Sequence, residues 1–304
     1  MPSPFSTKGC DANGRWSRPP DGFSYLWPAQ NAYQFVPVGQ SRALSLKTDH
    51  RPWTLTAVDL TMSGGIDVRL NARRTVIGPF QTYALEPGMK YPLDLTGNAE
   101  AALALVMSTP GEADKPLLYA HAGGTLTVHY AVNVILRDCS QTLEQYSRSE
   151  LLTLLREVET SYAQANIRLV RVGPIHLLEL KTMSLGPQII TDSRHGDLIR
   201  DHIKASGRGH LKNLVYGWDF ESEPKPPNAA NLSSGLTEFG GNVCFIDWGN
   251  RSMVTAHELG HALRLIDRPR GDLTIMQPQR SSAPFIPFDY AQIEVLRMVA
   301  KQVA

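Results

Sequence analysis

Met253-Val254-Thr255-Ala256-His257-Glu258-Leu259-Gly260-His261-Ala262-Leu263 contains H-E-x-x-H inside an apolar, helix-like run. Histidines four apart project from one face of a helix, one turn above the other. At that spacing both imidazoles reach a single Zn²⁺ over bonds of about 2.0–2.1 Å. Glu258 adjoins the first ligand and can act as general base toward a water on the metal. The five residues alone also fit an ordinary helix with two surface histidines, so the rest of the chain has to discriminate.

Upstream of this helix the pattern alternates strand and helix. Ala131–Arg137 reads as a buried strand. Ser147-Arg148-Ser149-Glu150 is a capping box, followed by Leu151, Leu154, Leu155, Val158 and Tyr162 at helical spacing. Ile167–Val172 reads as a strand, Leu198–Ala205 as a helix closed by Gly207, and Asn213–Trp218 and Asn242–Asp247 as strands. An amphipathic helix over Asp289–Lys301 ends the chain.

The first half differs. Residues 1–30 are rich in Pro, Gly and Ser and read as an irregular arm. Short apolar or alternating runs come next: Tyr33–Val38, Ala43–Leu46, Trp53–Met62, Ile66–Asn71, Thr82–Leu85, Ala101–Met107, Leu117–Ala120 and Thr125–Tyr130. Turn signals such as Ser63-Gly64-Gly65 and Pro110-Gly111 separate them. This spacing predicts an antiparallel β-sandwich over 31–130. The second domain then covers 131–304, and the fold class is α+β.

Composition narrows the function classes. Lys+Arg 30 against Asp+Glu 29 gives no support for a nucleic-acid or polybasic membrane binder. No apolar run approaches the roughly 20 residues of a membrane-spanning helix. Cys10, Cys139 and Cys244 form no C-x-x-C pair and read as isolated thiols. The opening Met1-Pro2-Ser3-Pro4-Phe5-Ser6 shows no signal-peptide pattern. The expectation is secretion or delivery by a specialised route, with a cytoplasmic location left open.

Beyond the helix the chain runs Arg264-Leu265-Ile266-Asp267, and Met276 lies nine residues further on in Leu273-Thr274-Ile275-Met276-Gln277-Pro278. This resembles the metzincin clan of zinc endopeptidases, with its H-E-x-x-H-x-x-G-x-x-H/D signature and methionine-containing turn. The spacing to the methionine is similar to matrix-metalloprotease-type domains, and an aspartate in the third position to the snapalysin family. The resemblance covers about residues 131–304, although only 257–278 carry specific motifs. It implies a zinc metalloendopeptidase with His257, His261 and Asp267 as zinc ligands, Glu258 as general base and Met276 as the floor beneath the metal. Arg264 departs from the pattern, because the clan has glycine there. If that position needs φ > 0, arginine carries strain. If the helix instead runs on to Leu265 or Ile266, Asp267 misses the metal and Glu294 on the last helix becomes the rival third ligand.

A metzincin-type cleft binds extended peptide along an edge strand. The place for that edge is Asn242–Asp247 or the stretch Gly235–Gly241, with Gly241, Asn242 and Val243 as the candidate substrate-binding residues. Tyr290 is a candidate for holding the oxyanion, against a plain packing role. Arg268, Arg270 and Arg280 lie beyond the third ligand and fit either acidic substrates or a solvated loop. The partner expected is a protein or peptide substrate. The β-domain is a candidate to bind a carbohydrate, a surface or a partner protein. The alternative function is a secreted adhesin- or effector-type binding protein whose zinc site is structural or vestigial.

Overall fold

The structure is a computed structural model that describes residues 5–6, 23–25, 32–70, 75–77, 80–135, 147–178, 188–224, 234–248, 252–268, 274–277, 288 and 290–303. Most of the N-terminal arm lies outside them, as do Cys10, Cys139, Arg270 and Arg280. The chain is mixed α and β and divides into two compact units. One comprises Met1–Thr125 with Ala163–Asn166 and Pro287–Tyr290; the other comprises Leu126–Tyr162, Ile167–Ile286 and Ala291–Ala304.

The first unit contains β1 (Phe5–Ser6), β2 (Phe23–Tyr25), β3 (Ala32–Pro37), β4 (Ser41–Lys47), β5 (Trp53–Asp59) and β6 (Ile66–Leu70). It continues with β7 (Thr75–Ile77), β8 (Thr82–Leu85), β9 (Lys90–Gly97), β10 (Ala101–Ser108) and β11 (Lys115–Gly123). These form a five-stranded sheet, β1-β4-β9-β6-β7, and a six-stranded sheet, β2-β3-β11-β10-β5-β8. The inward residues of both, among them Leu44, Leu93 and Leu95 of the first and Leu55, Leu105 and Leu118 of the second, share one hydrophobic cluster. One pair departs from the antiparallel expectation: β3 runs parallel to β11. The chain leaves β3 through a turn and enters the other sheet as β4, so no hairpin sets β3's direction. Strand β9 was not foreseen, because Pro92 and Asp94 are poor strand formers; they take the outward positions, and Leu93 and Leu95 alternate with them and point inward.

The second unit holds β12 (Leu126–Ile135), α1 (Arg148–Ala163), β13 (Ile167–Leu178), β14 (Ile189–Ile190), α2 (Arg194–Ala205), β15 (Lys212–Gly217) and β16 (Phe220–Glu221). Then come β17 (Gly235–Thr237), β18 (Val243–Asp247), α3 (Ser252–Ala262) and α4 (Tyr290–Val303). The runs Thr125–Tyr130 and Ala131–Arg137, expected as two strands, are one: no turn residue separates them, and β12 passes straight through. Strand β13 also outlasts its expected end at Val172. Gly173 adopts φ +75 beside a register shift, and the strand resumes beyond it.

The main sheet of this unit has the order β13-β12-β15-β18-β17. Neighbours are parallel except for the last pair, where β17 runs antiparallel to β18 and leaves the outer edge. β15 is buried along its whole length, as a strand covered on both faces must be. Alternation along the strands divides the covering. Val215 and Phe245 face Ile199 and Ile203 of α2, while Tyr216 and Cys244 meet α3 through Thr255 and the Glu258 carbonyl. Helix α1 begins where the capping box places it, with the Ser147 hydroxyl accepting from the Glu150 N–H at 3.2 Å. Its buried Tyr162 hydroxyl donates to the Ala256 carbonyl of α3 at 2.9 Å. No described helix is long and apolar enough to cross a membrane.

That last bond fastens α3 to α1. Tyr162→Phe is expected to lower the unfolding free energy by about 1 kcal/mol, as for a typical buried hydrogen bond. Urea denaturation measures it, and an unchanged midpoint would show that the bond contributes nothing.

Candidate metal centre

Helix α3 carries both histidines, and the chain just past its end decides whether a third donor returns to them. The helix stops at Ala262, and Arg264 takes φ +64. The Leu265 N–H donates to the Gly260 carbonyl at 2.9 Å and the Arg264 N–H to the His261 carbonyl at 2.9 Å. This pair of bonds is the Schellman closure, with Arg264 at the left-handed position that glycine usually fills. Leu265, just past it, is buried. The helix therefore does not run on. A residue other than glycine takes the turn, and the two bonds and the buried leucine offset its strain.

The reversal brings Asp267 back. Its Oδ1 lies 3.3 Å from His257 Nε2 and 3.4 Å from His261 Nε2, and the two Nε2 atoms are 3.1 Å apart. Three ligands on a tetrahedral ion with bonds near 2.05 Å stand about 3.3 Å from one another. Among the described residues, His257, His261 and Asp267 are the group of acidic, histidine and cysteine side chains that converges in this way. Glu294 is not part of it.

The proton positions come from the backbone. His257 Nδ1 faces the Ile275 carbonyl at 2.9 Å and His261 Nδ1 faces the Leu265 carbonyl at 2.9 Å. A carbonyl only accepts, so each Nδ1 carries the hydrogen and each neutral ring presents its Nε2 lone pair. Two lone pairs and a carboxylate oxygen then crowd one point. Only a cation or a proton suits such a point, and the carbonyl-oriented imidazole is the arrangement that metal ligands adopt. Burial lowers the pKa of His257, which favours the neutral form that binds a metal.

Met276 is fully buried beneath α3. A Cβ on Gly260 would come within 2.5 Å of its sulfur, so the glycine inside the motif makes room for this methionine. The Met276 carbonyl accepts from the Arg268 N–H at 2.8 Å, and the preceding carbonyl holds His257. The turn 274–277 thus orients the His257 ring as well as filling space.

Glu258 is buried, with 5 % of its surface exposed. Burial pushes its pKa up to about 7; the Thr237 hydroxyl opposes that, and Asp267 and Asp247 add to it. Gly235 of the edge strand lies against it: a Cβ there would fall 2.6 Å from Glu258 Cγ and 2.8 Å from Oε1. A carboxyl poised near neutrality within electrostatic reach of Asp267 is suited to move a proton in either direction.

The expected substrate-binding residues are distributed unevenly. β18 is paired on both sides, so the free edge belongs to β17, within the alternative stretch Gly235–Gly241. Gly241 and Asn242 lie in the connection to β18, and Val243 opens that strand. Tyr290 opens α4, and its side chain is outside the described part. Sequence reading missed Lys212. Its buried ammonium donates to the Gly241 carbonyl at 3.0 Å, the Asn242 side-chain oxygen at 2.8 Å and the Ala262 carbonyl at 2.9 Å. A lone lysine entering the apolar run Leu214-Val215-Tyr216 was the available signal.

Lys212→Met would leave those three acceptors without their donor and release the end of α3. A stability loss of roughly 2–4 kcal/mol is expected, read by chemical denaturation. A loss within 0.5 kcal/mol of zero, on the scale of an ordinary surface change, would show that the clamp is dispensable.

No family model matches the chain, and no curated protein matches it. Among solved structures it is similar to a chaperone–substrate complex (TM-score 0.42, 10% identity, covering 74% of this chain and 39% of that one). It is also similar to metalloproteinase-II from Bacteroides fragilis (TM-score 0.39, 12% identity, 58% and 53% covered). Domains 4 and 5 of the S-layer protein SbsC match more weakly (TM-score 0.22, 8% identity, 33% and 51% covered). The matched part is less than two thirds of each of these three chains.

Proposed function

We propose that the second unit is a zincin-type catalytic domain of the metzincin kind and that the protein is a zinc-dependent endopeptidase. The first unit is then a β-sandwich, a reading supported by its two sheets sharing one core, with the domain boundary close to the start of β12. The observation that carries the proposal is the convergence of His257 Nε2, His261 Nε2 and Asp267 Oδ1 at tetrahedral spacing beside a buried Glu258.

When bound by those three residues, zinc supplies a Lewis acid that polarises a peptide carbonyl and makes water a better acid near neutral pH. The residues do the rest. The free edge of β17 offers backbone groups to an extended peptide. Gly235 lets the Glu258 carboxyl pack directly against the backbone of that strand. The Glu258 carboxylate takes the proton from the attacking water and delivers it to the departing amine. A zinc that only braces a fold is normally closed by four protein ligands. Three meet here among the described residues, which favours hydrolysis over the binding-protein alternative.

The test separates metal from proton transfer. Wild type and Glu258→Gln are each expected to bind one zinc per chain, and chelation is expected to lower Tm in both, because a ligand bound only by the folded state stabilises it. The Gln variant should lose roughly a hundredfold or more in peptide cleavage, while His257→Ala loses metal, cleavage and the chelator effect together. Full cleavage by Glu258→Gln would sink the mechanism.

A further inference from the structure

Arg264 holds a left-handed backbone position at φ +64 where glycine would be free of strain. Its side chain is exposed, and its stem lies along the turn after the edge strand. A Cβ on Gly240 would meet Arg264 Nε at 3.3 Å and Cγ at 3.4 Å. Gly240 itself sits at φ +72, and its N–H donates to the same His261 carbonyl that accepts from Arg264. The missing side chain at 240 is therefore what gives the arginine its bed.

The guanidinium is idle within the fold. Among the described residues it makes no ion pair and no side-chain hydrogen bond, and Glu238 in the same turn does not pair with it. The charge it acts on is that of Lys212, another cation already committed to three acceptors. A strained backbone, a glycine-lined bed and an unanswered positive charge occur together at the end of β17. A peptide laid along that strand and continuing past Thr237 passes this point.

Resting on the endopeptidase reading, we propose that Arg264 determines specificity: its guanidinium binds the carboxylate of an acidic side chain in the peptide substrate, close to the scissile bond. A guanidinium recognises a carboxylate through two parallel hydrogen bonds, which lysine cannot reproduce. The turn fixes where along the substrate that carboxylate lies.

The experiment uses the full-length zinc-loaded protein and peptide pairs that differ only by Glu against Gln, scanned from four residues before the cleaved bond to four after. Wild type is expected to favour Glu roughly tenfold in kcat/KM at one such position. Arg264→Gly, which suits the backbone and should unfold at no lower a temperature than wild type, levels that ratio. Arg264→Glu turns it against Glu and toward Lys. A second readout uses no turnover: zinc-loaded Glu258→Gln binds the Glu peptide more tightly than its Gln counterpart, and adding Arg264→Gly removes the difference. A wild type that cleaves without acidic preference, or a preference unchanged in both Arg264 variants, overturns this inference and leaves the peptidase reading standing. A zinc-loaded wild type that cleaves none of the peptides overturns both.

Discussion

The chain reversal after α3 is the constraint on which the rest of this site depends. Two imidazoles one turn apart come with the helix, but a third donor arrives only if the helix stops at once and the chain folds back. The stop is built from backbone groups. Leu265 N–H reaches Gly260, and both Arg264 and Gly240 donate to the His261 carbonyl. Lys212 places its ammonium on the Ala262 carbonyl, where a helix end carries partial negative charge. The same reversal presents the Leu265 carbonyl to His261 Nδ1. The element that returns Asp267 thus also fixes the proton on the second imidazole, and the two cannot be varied separately.

How much of this was legible in the sequence depends on the range of the interaction. The helix, its two histidines and Glu258 are set by a local spacing, and so is the alternation of strands and helices before them. Asp267 and Met276 came by resemblance to a spaced motif. Arg264 was the point of doubt, because local propensity speaks against arginine at φ > 0. The tertiary setting overrides that preference, since burying Leu265 and closing two hydrogen bonds rewards the turn. Strand β9 was lost for the opposite reason. Its local signal is poor, and only the partners on either side, β4 and β6, make it a strand.

The features that stayed hidden are mainly backbone partners. The Ile275 and Leu265 carbonyls that orient the imidazoles have no side-chain signature, and any residue supplies a carbonyl. Gly235 and Gly260 are different. Each carries a signal, a glycine opening a strand or inside a helix, but the meaning of that signal lies in the group that approaches it. At Gly260 it is the sulfur of Met276; at Gly235 it is the carboxyl of Glu258. A glycine within a strand or helix marks a close approach without naming the visitor.

Glu258 shows the direction in which stability and chemistry pull against each other. Its carboxyl is buried, and Oε2 has no hydrogen-bond partner among the described residues. With the folded pKa raised to about 7, above the unfolded value, the folded state is favoured by protonation. That contribution is complete below the ordinary carboxylate range and disappears as pH rises through the folded pKa. Above that pKa the fold carries a carboxylate it would be more stable without. A neutral side chain of the same shape would remove the cost, and with it the group able to exchange a proton with water at this position. Such a group persists where the surrounding structure over-determines it, and here the edge glycine leaves the room it fills, on the same helix that carries both histidines.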